Sequence, residues 1–204
     1  FKSLHYADSA LGEFINELDE AGLLDNTVIV LYGDHDARLP RSEYNKLYNY
    51  NMETHEFLTE NDPNYKEYDS FQYEVGRRVP FIIWTKDSKG DEKLNREITD
   101  VMGMYDVMPT LGNMLGFSNK YALGHDIFNI KNNNIVVFPN GNWVTNKMYY
   151  NSQKEAYLSL SDEPITEEEI TKNSEYTNKL LDVSNDIIVF DLLNEKKSKE
   201  ISGE

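Results

Sequence analysis

The chain has 204 residues, of which 39% are apolar and 27% are charged, a composition typical of a folded globular protein. Its formal net charge of −16 argues against a nucleic-acid partner, because binding a phosphate backbone requires a basic surface. The absence of cysteine excludes thiol catalysis, disulfide bonds and cysteine-ligated zinc.

The first predicted elements are a helix and a buried strand. Over residues 6–22, apolar side chains recur at three- and four-residue steps, which predicts an amphipathic helix ending near Gly22. The segment 27–32 follows with apolar side chains on both faces, a pattern that favours a central, parallel strand. A helix followed by a buried strand predicts an α/β layered fold.

The middle of the chain is less regular. Residues 36–74 are polar and without clear periodicity, so they form either a functional loop or short helices that the sequence does not place. Residues 79–84 ("VPFIIW") predict a second buried strand, which we expect to be parallel to the first. Residues 106–116 predict a short helix that begins at Asp106 and is closed by Gly116.

The last third of the chain has the pattern of antiparallel hairpins. Two apolar segments flank the turn sequence "PNGN" at 139–142, and two more flank residues 151–154. From about residue 166 to 193 we predict a helix, because three consecutive glutamates in its first turn suit the positive end of a helix dipole.

Two polar residues follow directly after the first predicted strand. Asp34 offers a carboxylate oxygen and His35 an imidazole nitrogen, a combination that suits a divalent cation such as Mn²⁺ or Zn²⁺. Ligands bind beyond the carboxyl ends of strands in α/β sheets, and Gly33 permits a sharp turn there. An ordinary strand-end turn, with Asp34 as a cap and His35 exposed, would give the same pair. The pair alone leaves both interpretations open.

Four segments in a fixed order extend over nearly the whole chain: residues 4–35 (ending "VLYGDH"), 106–116 ("DVMPTLGNMLG"), 121–128 ("YALGHDIF") and 136–150 ("VVFPNGNWVTNKMYY"). Together they resemble the alkaline phosphatase/sulfatase superfamily, and in particular its lipoteichoic acid synthase branch, the phosphoglycerol transferases of Gram-positive bacteria. The resemblance implies an α/β fold with a mixed, mostly parallel sheet between helices and a small antiparallel C-terminal subsheet. It also implies that residues 1–130 are the C-terminal half of the α/β catalytic domain, and that residues 131–204 are the antiparallel hairpins and C-terminal helix of the same domain.

The resemblance implies a metal site at the turn after the first strand. Asp34 and His35 match two ligands of a divalent metal in this family, which we expect to be Mn²⁺, with Mg²⁺ or Zn²⁺ as alternatives. The family's other ligands, a Glu and the nucleophilic Thr, lie well upstream of this turn. We therefore expect no catalytic nucleophile in this chain, and no activity from the chain alone.

Further residues near the turn are weaker candidates. Arg38 and His55 are candidate substrate-binding residues, since a loop arginine can pair with a phosphate; a solvated loop arginine is the alternative for Arg38. Many members of the family have a glycine soon after the Asp-His pair, whereas this chain has Asp36 and Ala37 there, a departure from the family pattern. Arg77 and Arg78 precede the second strand; they could face the site, but we interpret them as a surface pair.

The resemblance also implies a reaction and a location. In the family, a Thr oxygen attacks the phosphorus of phosphatidylglycerol, diacylglycerol leaves, and the glycerophosphate group passes to a hydroxyl at the end of a growing polymer. We therefore expect phosphatidylglycerol and a glycerophosphate polymer as partners, at the extracellular face of the cell membrane of a Gram-positive type bacterium. The chain begins with Phe rather than Met, so we expect it to belong to a longer parent protein with an N-terminal membrane anchor.

Two other functions stay open. A sulfatase or phosphodiesterase of the same superfamily would differ from a phosphoglycerol transferase in its nucleophile or substrate. A non-catalytic binding module could also retain the turn at 34–35 without using it.

Overall fold

A computed structural model describes residues 2–86, 97–130 and 134–194 of the chain. These residues form two compact units, one from 2–67, 76–86 and 97, and the other from 68–75, 98–130 and 134–194. The predicted α/β composition and the small antiparallel C-terminal subsheet are confirmed, whereas the predicted mostly parallel sheet between helices is not. The predicted boundary between 1–130 and 131–204 stays a prediction.

The helices and strands follow one another in short alternation. In chain order they are α1 (Lys2–Glu20), β1 (Val28–Tyr32), α2 (Arg41–Tyr48), β2 (Tyr50–Asn51), β3 (Glu56–Phe57), α3 (Ser70–Gly76), β4 (Phe81–Thr85), α4 (Val107–Leu115), β5 (Val136–Val137), β6 (Trp143–Val144), β7 (Met148–Asn151), β8 (Ala156–Ser159) and α5 (Glu167–Val189). Within the described ranges, no helix is both long and apolar enough to span a membrane.

The first unit contains a two-stranded sheet formed by β1 and β4. The prediction that these strands are parallel is wrong: they pair antiparallel, with Val28 opposite Thr85 and Tyr32 opposite Phe81. Apolar residues on both faces of a strand indicate burial on both faces, which is most common in parallel sheets but does not determine the strand direction. Here the chain leaves the sheet after Tyr32 and re-enters it at Phe81, at the same end, which requires the antiparallel direction. All strand pairs among the described residues are antiparallel.

The β1–β4 sheet is less buried than its sequence predicts. Leu31 and its cross-strand partner Ile82 are 37% and 49% exposed, and Trp84 is 41% exposed. Side chains directly opposite in an antiparallel pair lie on the same face, and Trp84 follows Ile82 by two residues. One face of the sheet therefore presents apolar side chains to solvent.

The second unit contains the predicted C-terminal hairpins, which form one antiparallel sheet in the order β5-β6-β7-β8. Trp143 and Met148 are fully buried in its core, and α5 packs against them through Ile170, Leu180 and Leu181. The predicted C-terminal helix is confirmed over Glu167–Val189. Burial of this apolar surface provides the main stabilisation of the unit.

Candidate metal centre

The turn that carries the predicted metal ligands begins at Gly33. The Gly33 amide donates to the Pro80 carbonyl at 3.2 Å, which continues the β1–β4 pairing one residue beyond the strands. A Cβ atom on Gly33 would lie only 2.7 Å from the Cβ of Val79. Glycine is therefore needed where the two chain segments approach this closely.

The side chains of Asp34 and His35 converge. His35 Nε2 lies 3.7 Å from Asp34 Oδ1, and the side chains are 49% and 85% exposed. His35 Nδ1 lies 2.6 Å from the carbonyl oxygen of Asp36. A carbonyl oxygen only accepts hydrogen bonds, so Nδ1 carries the proton in the neutral ring and Nε2 keeps its lone pair. This is the tautomer in which Nε2 can bind a metal ion.

The two donor atoms fit a single cation. Carboxylate oxygens and imidazole nitrogens bind zinc at about 2.0–2.2 Å, so two such donors can lie no more than about 4 Å apart. The separation of 3.7 Å satisfies this limit. Among the residues that the structure describes, no group of three or more His, Cys, Asp or Glu side chains could hold a metal ion. Asp34 and His35 could therefore supply two ligands, and the others would have to come from elsewhere.

A buried carboxylate, Asp36, forms an ion pair with the exposed Arg77 next to the turn. The Asp36 side chain is 5% exposed, and its Oδ1 accepts from Arg77 Nη2 at 3.2 Å. The other carboxylate oxygen, Oδ2, accepts from the backbone amide of Arg38 at 3.0 Å. Burial acts to raise the pKa of Asp36, but the hydrogen bonds from Arg77 and Arg38 and the charge of Arg77 outweigh it and hold the pKa below its ordinary value. Asp36 is therefore ionised and fixed on both oxygens.

The two candidate substrate-binding residues occupy separate turns. Arg38 has φ 52°, a left-handed conformation held by the hydrogen bond from its amide to Asp36. His55 has φ 58° and lies in the turn between β2 and β3, with Nδ1 3.3 Å from Tyr50 Oη. Within the described ranges, no hydrogen bond or ion pair joins either side chain to Asp34 or His35. Substrate binding by Arg38 and His55 stays a prediction.

The pairing of Asp36 with Arg77 was missed from the sequence. Arg77 was interpreted as a surface residue that could also face the site, and its side chain is 41% exposed, but the expected parallel direction did not pair it with Asp36. In an antiparallel pair, opposite charges at equal distances beyond the paired strands lie opposite each other. The opposite charges of Asp36 and Arg77 are visible in the sequence, but pairing them requires the direction and register of β1 and β4.

Comparison with known proteins identifies the family. The family model described as Sulfatase matches residues 1–117, more than half of the chain. The chain belongs to the sulfatase family. The resemblance to the lipoteichoic acid synthase branch is also confirmed, since relatives of that name extend over essentially the whole chain.

Three of these family members illustrate the similarity. Lipoteichoic acid synthase 1 of Bacillus subtilis (strain 168) is 36% identical over 100% of this chain and 29% of its own length. Lipoteichoic acid synthase 2 of the same strain is 32% identical over 95% of this chain and 27% of its own length. Lipoteichoic acid synthase of Staphylococcus aureus (strain USA300) is 31% identical over 98% of this chain and 28% of its own length. The chain thus spans less than a third of the length of these curated relatives.

Proposed function

We propose that the chain is part of a metal-dependent phosphoglycerol transferase of the lipoteichoic acid synthase type. The observation that carries the proposal is the extent of the similarity. The sulfatase family model ends at residue 117, whereas the identity to lipoteichoic acid synthases continues through the C-terminal hairpins and helix. The transferred group would be glycerophosphate, taken from phosphatidylglycerol and given to a growing polymer. The parent protein would act at the extracellular face of the cell membrane, anchored by a region outside this chain.

The proposal gives Asp34 and His35 the role of metal ligands. Their donor atoms converge to 3.7 Å, and the His35 tautomer leaves Nε2 available. A divalent cation here, which we expect to be Mn²⁺, would neutralise charge that develops on the phosphoryl oxygens during transfer. This local positive charge matters because the chain carries a net charge of −16 and would repel an anionic phospholipid. The nucleophile, a Thr in this proposal, would lie outside this chain.

Metal binding can be tested on the chain itself. The sequence contains four histidines, His5, His35, His55 and His125, whose imidazole signals can be followed by NMR while Mn²⁺ is added. Because two ligands bind a cation weakly, we expect paramagnetic broadening only at millimolar Mn²⁺. The His35 signals should broaden first, and Asp34→Ala should abolish that selectivity. Equal broadening of all four histidines would contradict the assignment of the metal site.

Activity is tested in the parent protein that contains this chain. Transfer of labelled glycerophosphate from phosphatidylglycerol should fall by at least about a hundredfold in Asp34→Ala and in His35→Ala, because each removes a metal ligand. Asp62→Asn is the matched control, since Asp62 Oδ1 accepts from the Asn64 amide in an exposed turn, a hydrogen bond that asparagine can also accept. Wild-type turnover in either ligand variant would show that the assignment is wrong.

The same assay separates the transferase from its rivals. The match to the sulfatase model also suits a sulfatase or a phosphodiesterase of the superfamily. Release of sulfate from an aryl sulfate, or hydrolysis of a phosphodiester without transfer to a polymer, would favour one of these. Absence of all three activities in the intact parent protein would favour a non-catalytic binding module.

A further inference from the structure

The antiparallel register of β1 and β4 extends beyond the strands into the turn that carries Asp34 and His35. Tyr32 lies opposite Phe81, and the next residue, Gly33, hydrogen-bonds to Pro80. Continued for three more residues, the same register places Asp36 opposite Arg77. The hydrogen bond between Asp36 Oδ1 and Arg77 Nη2 at 3.2 Å agrees with that register. The ion pair therefore lies just beyond the end of the β1–β4 sheet, next to the turn that carries Asp34 and His35.

Asp36 acts on the turn through both its backbone and its side chain. Its carbonyl oxygen accepts from His35 Nδ1 at 2.6 Å, which selects the ring tautomer. Its carboxylate is held by Arg77 and by the Arg38 amide. The hydrogen bond from the Arg38 amide to Oδ2 closes a ring that includes the peptide group between residues 36 and 37, and this restricts the orientation of the Asp36 carbonyl.

We propose that Asp36 and Arg77 are positioning residues that hold the His35 imidazole with Nδ1 protonated and Nε2 directed toward Asp34. The inference rests on the proposed metal site for its functional meaning, while the tautomer it specifies is a property of the chain without metal. Hydrogen bonds to the second nitrogen of a metal-binding histidine orient the ring and increase its basicity, and their loss typically lowers metal affinity by about 10–100-fold.

Burial distinguishes this pair from an ordinary surface ion pair. The Asp36 side chain is 5% exposed and the Arg77 side chain 41% exposed. Removing Arg77 would leave the buried carboxylate without its charged partner, and the carboxylate would turn toward water. The peptide group between residues 36 and 37 would move with it, and the His35 hydrogen bond would be lost.

The tautomer of His35 is measured by the ¹⁵N chemical shifts of its ring at about pH 9, where histidine side chains are generally neutral. The wild-type chain should show protonated Nδ1. In Asp36→Asn and Arg77→Gln we expect a shift toward protonated Nε2, the form that an unconstrained imidazole favours. Arg77→Lys keeps the charge but not the planar fork, so it should show an intermediate fraction. If Arg77→Gln does not fold, Arg77→Lys is the variant that tests the proposal.

Arg78→Gln is the matched control, because no ion pair between Arg78 and Asp36 occurs in the part of the chain that the structure describes. It should leave the His35 tautomer unchanged. A protonated Nδ1 that persists in folded Asp36→Asn and Arg77→Gln would overturn the proposal, as would an equal tautomer shift in Arg78→Gln.

A titration of the same variants with Mn²⁺ separates the two proposals. If both are correct, the Mn²⁺ concentration that half-broadens the His35 signals should rise about tenfold in Arg77→Gln. A tautomer shift without selective Mn²⁺ broadening in the wild type would contradict the metal site and support the positioning role. Selective broadening that is unchanged in the variants, together with an unchanged tautomer, would support the metal site and overturn the positioning role.

Discussion

Gly33 and Val79 approach each other so closely that a Cβ atom on Gly33 would lie 2.7 Å from the Cβ and 2.9 Å from the Cγ1 of Val79. Real side-chain atoms do not approach to this distance, so Gly33→Ala must displace either the turn or the start of β4. We expect the free energy of unfolding to fall by about 1–3 kcal/mol, the usual cost of overpacking. Urea denaturation measures this, and the selective Mn²⁺ broadening of His35 should weaken in the same variant.

Gly12→Ala is the control for this prediction. Gly12 lies inside α1, and a Cβ there would have no atom within 4 Å. Alanine favours the helical conformation over glycine, so the control should raise the free energy of unfolding by up to about 1 kcal/mol. A loss of stability in Gly12→Ala similar to that in Gly33→Ala would show that the close contact at Val79 is not the cause.

The helix at the C-terminus depends on its cap. Thr166 Oγ1 accepts from the Glu169 amide at 3.2 Å, and the first turn contains Glu167, Glu168 and Glu169. Thr166→Ala removes the cap, so we expect a loss of about 1 kcal/mol in the free energy of unfolding. Thr171→Ala, at an exposed position inside the same helix, should be neutral or slightly stabilising because alanine has the higher helix propensity. Equal effects of the two substitutions would contradict the capping role.

Helix ends and hairpin turns were predicted correctly, because they depend on residues that are close together in the sequence. The helix ending before Gly116 was predicted because glycine tolerates the left-handed conformation that closes a helix, and Gly116 has φ 77°. The hairpin turn at 139–142 was predicted for the same reason, and Gly141 has φ 84°. In the C-terminal helix, Ile170 and Leu180 pack on the core, but Ile188 is 75% exposed, so the side of the helix that contacts the core does not extend to its last turn.

The remaining features depend on contacts between distant parts of the chain. β2 and β3 have two residues each, and α2 has eight, so none is long enough to produce a clear period in the sequence. The direction of β4 depends on the end of the sheet at which the segment after β1 brings the chain back. No pattern within the strands specifies that end. The turn at Asp34 and His35 was predicted, whereas its support by Asp36 and Arg77 required the antiparallel register.

Stability at high pH should depend on Tyr105. Burial raises the pKa of Tyr105 to about 12, from an ordinary value of 10.0. The folded state therefore favours the neutral phenol, and this contribution is fully present below about pH 10 and is lost as the pH rises toward 12. In urea unfolding, wild-type stability should fall between about pH 10 and pH 12, and in Tyr105→Phe this fall should be smaller.

Tyr105→Phe should also be less stable at neutral pH. The Tyr105 hydroxyl accepts from the amide of Val137, a buried residue, at 2.8 Å. Without the Tyr105 hydroxyl, the Val137 amide loses this hydrogen-bond acceptor, which should lower the free energy of unfolding by about 1–3 kcal/mol. Tyr157→Phe is the control, because Tyr157 is 48% exposed, and it should change neither the neutral stability nor the alkaline fall. An alkaline fall in Tyr105→Phe as large as in the wild type would contradict the role given to this hydroxyl.

Asp106 does more than begin a helix, the role predicted for it. The side chain is completely buried, and its carboxylate accepts from the amides of Gly103 and His125, each at 2.8 Å, and from Asn134 Nδ2 at 3.1 Å. Asp106→Asn replaces one acceptor oxygen by an NH₂ group that would face one of these donors. We expect a loss of at least about 2–3 kcal/mol, because a buried donor loses its partner and two donors oppose each other.

The measurement for Asp106→Asn is urea denaturation monitored by tryptophan fluorescence, since Trp143 is buried in the same compact unit. Asp62→Asn is the matched control: Asp62 accepts from the Asn64 amide in an exposed turn, a geometry that asparagine also supports. Its effect should stay within about 0.5 kcal/mol. If Asp106→Asn is equally well tolerated, the three hydrogen bonds to Asp106 contribute little to holding the residues around 103, 125 and 134 together.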